Sequence, residues 1–195
     1  MGYAYSVYAV DLAKLTKLWG SSDTRLAARL AKAHADEYAS KDEWFEGDIA
    51  KGAPAFATAV TEVLAGRPTQ KKHGFIYGYA VELLCQHLGS RVDEVSLTWF
   101  DKALDPFLKK AKQPKLAKLL GAGILPVPIP KPKDFPEIGT IDAKAGAALV
   151  AAMDAIAPLA PPPDDFCNAG AVIVEVRAWV TRAAKRKRQL VWFLY

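Results

Sequence analysis

The chain has 195 residues, of which 51% are hydrophobic and 24% are charged, and its formal net charge is +5. This balance excludes a globally disordered chain, and the length suits a substantial core, so we expect a single globular domain over residues 1–195. The mildly basic charge permits nucleic-acid or acidic-protein partners but requires neither.

The first third of the chain is predicted to be one strand followed by helices. Residues 3–10 are rich in aromatic and β-branched side chains, which is typical of a strand. The turn at 19–23 offers serine and aspartate caps for a helix that ends near Ala35. Residues 36–52 are polar, and we expect their apolar side chains to anchor the segment to the core: Trp44, Phe45 and Ile49.

The next helices are predicted from proline and from the spacing of apolar residues. Pro54 fits the first position of a helix. A central helix over His73–Leu88 is apolar nearly all round, which indicates a buried core helix, and its most buried face is expected to be Phe75, Ile76, Tyr79, Ala80, Leu83 and Leu84. The remaining stripe at spacing four, Gly74, Gly78, Glu82 and Gln86, would let another backbone approach the two glycines closely.

The second half of the chain is predicted to contain helices, a proline-rich connection and a final strand. Short helices are expected over 97–110 and 115–120, and five prolines in Gly121–Gly139 predict an extended connection. Further helices are expected from the cap at Asp142 to Ile156 and after Asp164 or Asp165. Residues 189–195 are predicted to be a strand that shares a sheet with residues 3–10.

The predicted fold class is therefore α+β, a mainly helical single domain with a small sheet containing the N- and C-terminal strands. The two cysteines, Cys85 and Cys167, do not form a CxxC pair, which favours a reducing compartment. We also expect neither a secretion signal at the N-terminus nor a membrane span, and hence a cytoplasmic protein.

Several segments of the chain together resemble a known group of domains. They are the opening strand with residues 12–15 and 20–23, the central helix at Tyr77, Tyr79 and 82–85, the loop at 125–130 and 134–139, and the end at 179–180, 183–184 and 190–193. On these segments the chain resembles an uncharacterised group of bacterial domains of unknown function, loosely akin to the YfbM-like proteins. The resemblance implies an α+β fold and no catalytic residues. Some such small bacterial domains look like immunity or antitoxin partners of toxins, an analogy at the level of the fold.

The spacing of histidine and cysteine predicts neither a metal site nor a cofactor. His34, His73 and His87 do not form an HExxH motif, and paired CxxC spacing is absent from the sequence. Cys85 lies within an apolar stretch, which favours a buried thiol over a nucleophile.

Glu82 is the most conspicuous polar residue of the central helix. An ionisable group on an apolar helix is costly to bury unless it is paired. The favoured interpretation is an exposed helix edge shared with Gln86. The alternative is a pocket in which Glu82 has a lysine, arginine or tyrosine partner.

Two basic runs and the proline-rich loop are the other candidate sites. Lys109, Lys110, Lys112, Lys115 and Lys118 form one run and residues 185–188 the other, although cations after a helix also interact favourably with its dipole. The loop at Asp134, Phe135 and Pro136 is interpreted as a scaffold, an interaction surface or a lid.

The sequence favours a non-enzymatic protein-binding domain, with an immunity- or antitoxin-like domain as one form. The expected partner is another protein, and the binding residues are expected among Tyr77, Glu82, Asp134 and Phe135. The alternatives are a small enzyme with a pocket around Glu82 and, less favoured because aromatic residues do not interleave with the lysines, a nucleic-acid binder.

Overall fold

The computed structural model describes residues 4–96, 100–133, 135–163 and 168–195, with backbone alone for residues 93–96 and 100–102. The predicted residues Asp134, Asp164, Asp165 and Cys167 lie outside these ranges. In chain order the elements are β1 (Ala4–Val10), α1 (Leu12–Leu18), α2 (Thr24–Ala33), α3 (Ala35–Trp44), α4 (Glu46–Ile49), α5 (Phe56–Ala65), α6 (Gly74–Leu88), β2 (Ser90–Ser96), α7 (Phe100–Lys110), α8 (Leu116–Leu119), β3 (Glu137–Ile141), α9 (Ala143–Ile156), α10 (Ala169–Lys185) and β4 (Gln189–Leu194). The α+β class predicted from the sequence is confirmed.

Contacts within the chain divide it into two compact units. The sheet unit consists of residues 1–12, 89–124 and 137–195, and the helical unit consists of residues 13–88 and 125–136. The expectation of one globular domain over residues 1–195 stays a prediction.

The sheet unit is built on four antiparallel strands in the order β2-β1-β4-β3. Val7 of β1 lies opposite Trp192 of β4, so the predicted pairing of the two terminal strands is confirmed. The edge strands β2 and β3 were not predicted. Strand β3 occupies the end of the connection that the prolines had marked as merely extended.

Helices of the sheet unit form a core with alternate residues of the central strands. The buried members include Tyr5, Val7, Leu104, Leu149, Met153, Val176, Trp179, Leu190 and Trp192. Asp142 caps α9 as predicted, since its carboxylate accepts a hydrogen bond from the amide of Ala145 at 2.7 Å. Helix α10 begins at Ala169, and its cap is Asn168, whose side chain accepts a hydrogen bond from the amide of Ala171. The expected start at Asp164 or Asp165 falls on residues outside the described ranges.

In the helical unit, α6 packs against α5 and is buried along most of its length. Every residue from Ile76 to Cys85 is buried, which confirms the predicted core helix, although Phe75 is only half-buried. Helix α5 begins at Phe56, two residues after Pro54, because the carboxylate of Asp42 accepts a hydrogen bond from the Phe56 amide at 2.6 Å. The prediction that Pro54 is the first helical residue is therefore wrong.

Candidate functional site

Tyr77 is a buried side chain whose hydroxyl group holds the loop between α5 and α6. The hydroxyl donates to Oε2 of Glu62 at 2.5 Å and accepts from the amide of Gln70 at 3.0 Å. The other oxygen of Glu62 accepts from the hydroxyl of Thr69 at 2.7 Å. Burial, followed by the bond to Glu62, raises the pKa of Tyr77. These contacts give Tyr77 a structural role in positioning residues 66–70.

Glu82 is only 7% exposed, so the favoured interpretation of an exposed helix edge is wrong. Its charge acts on Lys41 of α3, whose pKa is lowered by burial and held up in part by Glu82 and then by Glu37. The structure thus supports the alternative in which Glu82 has a cationic neighbour. Tyr77 and Glu82 interact with different helices, α5 and α3 respectively.

Cys85 is fully buried on the same helix as Glu82. Burial, and then the charge of Glu82, raises the pKa of its thiol well above the ordinary value. A thiol that stays protonated is a poor nucleophile. The structure therefore agrees with the interpretation of Cys85 as a core residue.

The proline-rich loop packs its backbone onto the start of α6. A Cβ atom at Gly74 would lie 2.6 Å from the carbonyl oxygen of Pro130 and 2.8 Å from that of Lys131. The close backbone approach predicted for the glycine stripe is confirmed at Gly74. Phe135 follows on this loop and is 37% exposed.

The three histidines have separate surroundings. His34 lies 3.2 Å from Glu37, and His73 packs edge-on against Phe75 with ring centroids 5.9 Å apart. The pKa of His87 is lowered by burial and then by the charges of Arg29 and His34. Within the described ranges, no three side chains of His, Cys, Asp or Glu are grouped to hold a metal ion.

Both basic runs lie in the sheet unit and are largely exposed. The second run and its helix also support an edge strand. The β1–β2 register shifts after Val7, and Arg182 donates to the carbonyl oxygen of Val92 at this shift. Arg186 donates to the hydroxyl group of Ser90. Both arginines therefore contact β2, which gives Arg186, a member of the second run, a structural role.

A cluster of aromatic side chains on the helical unit, of which Trp44 is exposed, was not predicted as a site. Trp44 is 67% exposed, so the expectation that it anchors the core is wrong. Its ring stacks on Phe45 at a centroid distance of 5.7 Å and an angle of 12°. The ring of Phe45 in turn packs against those of Phe75 and Tyr79, with centroid distances of 5.0 Å and 5.3 Å. We call Trp44, Phe45, Phe75 and Tyr79 the aromatic patch.

Lys41 joins the aromatic patch to the buried Glu82. Its ammonium group lies 4.0 Å from the ring centroid of Tyr79 and 5.0 Å from that of Trp44. A cation over these rings is attracted by their negative faces, which fixes the orientation of both rings. The sequence did contain a signal for this site. Trp44 lies in a polar segment without the apolar stripe that a helix packed on a core would have, so an exposed position could have been inferred.

The segment that carries Trp44 is strongly acidic. Helices α3 and α4 contain one lysine and six acidic residues, namely Asp36, Glu37, Asp42, Glu43, Glu46 and Asp48. Asp42 caps α5 and Glu37 contacts His34, whereas Glu43 and Glu46 are exposed on either side of Trp44 in the sequence. The aromatic patch is therefore flanked by negative charge.

Two cavities have linings that lie within single units. In the sheet unit, a cavity of about 220 Å³ lies between α9 and α10, with mostly alanine and aliphatic walls and Asp142 and Arg188 in its lining. In the helical unit, a larger cavity lies beside the proline-rich loop. Glu82 is in neither lining. Among the helices that the structure describes, none combines the length and apolar character needed to cross a bilayer.

Comparison with known proteins gave one family. A family model described as a domain of unknown function, DUF7691, matches residues 1–195. Neither the curated proteins nor the solved structures gave a match.

Proposed function

The chain belongs to the DUF7691 family of domains of unknown function, and we propose that it is a protein-binding domain that recognises a basic protein surface. The observation that carries the proposal is Trp44, two-thirds exposed and stacked on Phe45 within an acidic helix pair. The aromatic patch would form the centre of the interface and the acidic side chains its rim.

The aromatic patch has the properties of an interaction hot spot. Tryptophan and tyrosine are enriched among residues that dominate binding energy, because they bury a large area with little loss of side-chain freedom. The rings of Trp44 and Phe45 are already held against Lys41 and Tyr79. A preformed surface loses less entropy on binding than a mobile one.

The charge around the patch selects the partner. Glu43 and Glu46 are exposed beside Trp44, and a partner rich in arginine and lysine would complement them. An arginine of the partner could also stack on the exposed face of Trp44. Acidic proteins that bind and neutralise basic toxins have this complementarity, which supports the immunity- or antitoxin-like form of the proposal. Bacterial origin, a cytoplasmic location and the closer likeness to the YfbM-like proteins belong to the same proposal.

The proposal is tested with the purified products of the genes that neighbour its own gene. We expect one basic product to bind the full chain in titration calorimetry, and Trp44→Ala to weaken that binding by about thirty-fold or more, the effect of losing a hot-spot residue. Glu43→Gln and Glu46→Gln should slow association and reduce its salt dependence. Val174→Ala is the matched control, since Val174 is 53% exposed on α10 of the sheet unit.

Two results would count against this function. One is a partner whose affinity is the same for the Trp44→Ala variant and the wild type. The other is a partner whose association rate and salt dependence are the same for the wild type and for the Glu43→Gln and Glu46→Gln variants.

A further inference from the structure

The cavity of the helical unit, which is larger than the one in the sheet unit, has a basic lining. Its volume is about 510 Å³, and it is lined by Trp19, Gly66, Arg67, Pro68, Lys71, Pro128, Ile129, Pro130 and Lys131. We call it the basic cavity. Its volume lies within the ~300–1,000 Å³ that is usual for small-molecule sites.

The walls of the basic cavity are fixed by backbone contacts. The loop carbonyls of Pro130 and Lys131 lie so close to Gly74 that a side chain there would collide with them. Ile129 of the same loop is buried, and this burial also holds the loop in place. Gly66, also in the lining, has a left-handed φ of +67°, and a Cβ atom there would lie 3.1 Å from Nε1 of Trp19. The proline residues further restrict the loop, so the cavity is largely preformed.

Positive charge dominates the lining. Arg67, Lys71 and Lys131 contribute three cations, and the lining contains no acidic residue. In the part of the chain that the structure describes, the side chains of these three residues make no ion pair. Glu62, the nearest acid in sequence to Arg67, accepts hydrogen bonds from Tyr77 and Thr69. A concave site lined by several cations and no acidic residue attracts an anion.

We propose that the basic cavity binds a small ligand that carries phosphate groups and a flat ring, of the size of a nucleoside diphosphate. Arg67, Lys71 and Lys131 contact the phosphate oxygens, for which guanidinium and ammonium groups are the usual partners. Trp19 and the proline rings provide apolar walls for the ring of the ligand. This site is independent of the protein-binding function proposed for the aromatic patch, and it involves different residues.

The test uses three probes with the full chain, by titration calorimetry at low ionic strength. The probes are ADP, pyrophosphate, which lacks the ring, and adenosine, which lacks the phosphates. We expect ADP to bind more tightly than either of the others. Lys71→Gln and Lys131→Gln should each weaken ADP binding about ten-fold, the effect of one charge-assisted hydrogen bond.

The neighbouring lysines supply matched controls. Lys72 and Lys133 are exposed, adjacent in sequence to the two test residues and outside the lining, so Lys72→Gln and Lys133→Gln should leave ADP binding unchanged. Trp19→Ala should weaken ADP more than pyrophosphate, a difference that a general loss of folding would not produce. Thermal unfolding of each lysine variant should match the wild type, as is usual for surface substitutions.

Three results would overturn the proposal. ADP could fail to bind at low ionic strength. The control variants could weaken ADP as much as the test variants, which would indicate diffuse attraction. A single-stranded oligonucleotide could bind more tightly than ADP and respond equally to all four lysine substitutions, which would indicate a nucleic-acid surface.

Discussion

Two buried tyrosines of the helical unit differ in what their hydroxyl groups contact. The hydroxyl of Tyr77 donates to Glu62 and accepts from the amide of Gln70. The hydroxyl of Tyr38 has no hydrogen-bond partner within the described part of the chain. Burial and the charge of Glu37 raise the pKa of Tyr38 to about 12. A buried polar atom without a partner costs free energy, whereas a bond to a carboxylate stabilises the fold.

We expect opposite results from removing the two hydroxyl groups. Tyr77→Phe should lower the free energy of unfolding by ~1.5–3 kcal/mol, because it breaks a charge-assisted bond and leaves Glu62 short of a donor. Tyr38→Phe should be neutral or slightly stabilising, because no bond is lost. Urea denaturation of the two variants provides the comparison. Equal destabilisation by both substitutions would contradict the distinct roles assigned to the hydroxyl groups.

Lys41 links Glu82 to the dependence of stability on pH. Burial lowers the pKa of Lys41 from its ordinary value of 10.5, and the charge of Glu82 opposes that shift. Between the lowered pKa and 10.5 the unfolded chain therefore binds more protons than the folded chain. Over this window the contribution of Lys41 makes stability rise with pH.

Glu82→Gln should lower the pKa of Lys41 further, because the opposing negative charge is gone. The window in which stability rises should then begin at a lower pH. Nuclear magnetic resonance titration of the Lys41 side chain measures the shift, and Glu62→Gln is the control because Glu62 interacts with Tyr77 instead. A pKa of Lys41 that stays constant or rises in Glu82→Gln would show that the two residues are not coupled.

The environments of single residues were the least predictable feature of this sequence. Glu82 was assigned to solvent and Trp44 to the core, and each lies in the other environment. Helical spacing predicts which face of a helix is apolar, but it contains no information on which neighbour supplies a cation or a ring. The position of Lys41 against Glu82 and Trp44 depends on how α3 packs in the folded chain.

At the scale of elements, β3 depends on a glycine. Gly139 lies opposite Trp192 of β4, and a Cβ atom there would lie 2.3 Å from the indole ring. The ring is held in place, since its Nε1 donates to the carbonyl oxygen of Leu120 at 2.8 Å. The indole therefore has little freedom to move away from an added side chain.

Gly139→Ala should lower the free energy of unfolding by ~1–3 kcal/mol, the usual effect of overpacking a core. Gly47 of α4 is the matched control, because a Cβ atom there has nothing within 4 Å. Gly47→Ala should be neutral or stabilising by up to ~1 kcal/mol, because alanine restricts the unfolded chain. Chemical denaturation of the two variants tests the contrast, and a tolerated Gly139→Ala would mean that Trp192 can shift.

Elements with strong local patterns were predicted, and those with weak patterns were not. Strands β1 and β4 are apolar runs because they lie in the centre of the sheet. Strand β2 contains three charged residues in seven, which is not typical of a strand. Strand β3 has the β-branched residues Ile138, Thr140 and Ile141, but it is only five residues long, has a glycine in the middle and follows a proline-rich stretch, so its signal is short. Both lie at an edge of the sheet, although β3 is buried from Ile138 to Ile141.

At the scale of the whole molecule, the two ends of the chain depend on each other. Strand β4 pairs with β1 on one side and with β3 on the other, and Tyr195 also exchanges two backbone hydrogen bonds with Ala4. Loss of β4 would leave the backbone groups of β1 and β3 that face β4 without partners. It would also remove Trp192 and Phe193 from the core.

Deletion of residues 190–195 should abolish the cooperative unfolding transition and cause aggregation. The exposed edges of β1 and β3 would then pair between molecules, since unpaired strand edges are templates for association. Circular dichroism during heating and size-exclusion chromatography measure the two effects. Hydrogen exchange adds a test of the single-domain prediction, because one cooperative domain requires that amides of α5 and α6 in the helical unit lose protection as well. Retained protection in these two helices would show that the helical unit folds independently, and an unchanged thermal transition would refute the role given to β4.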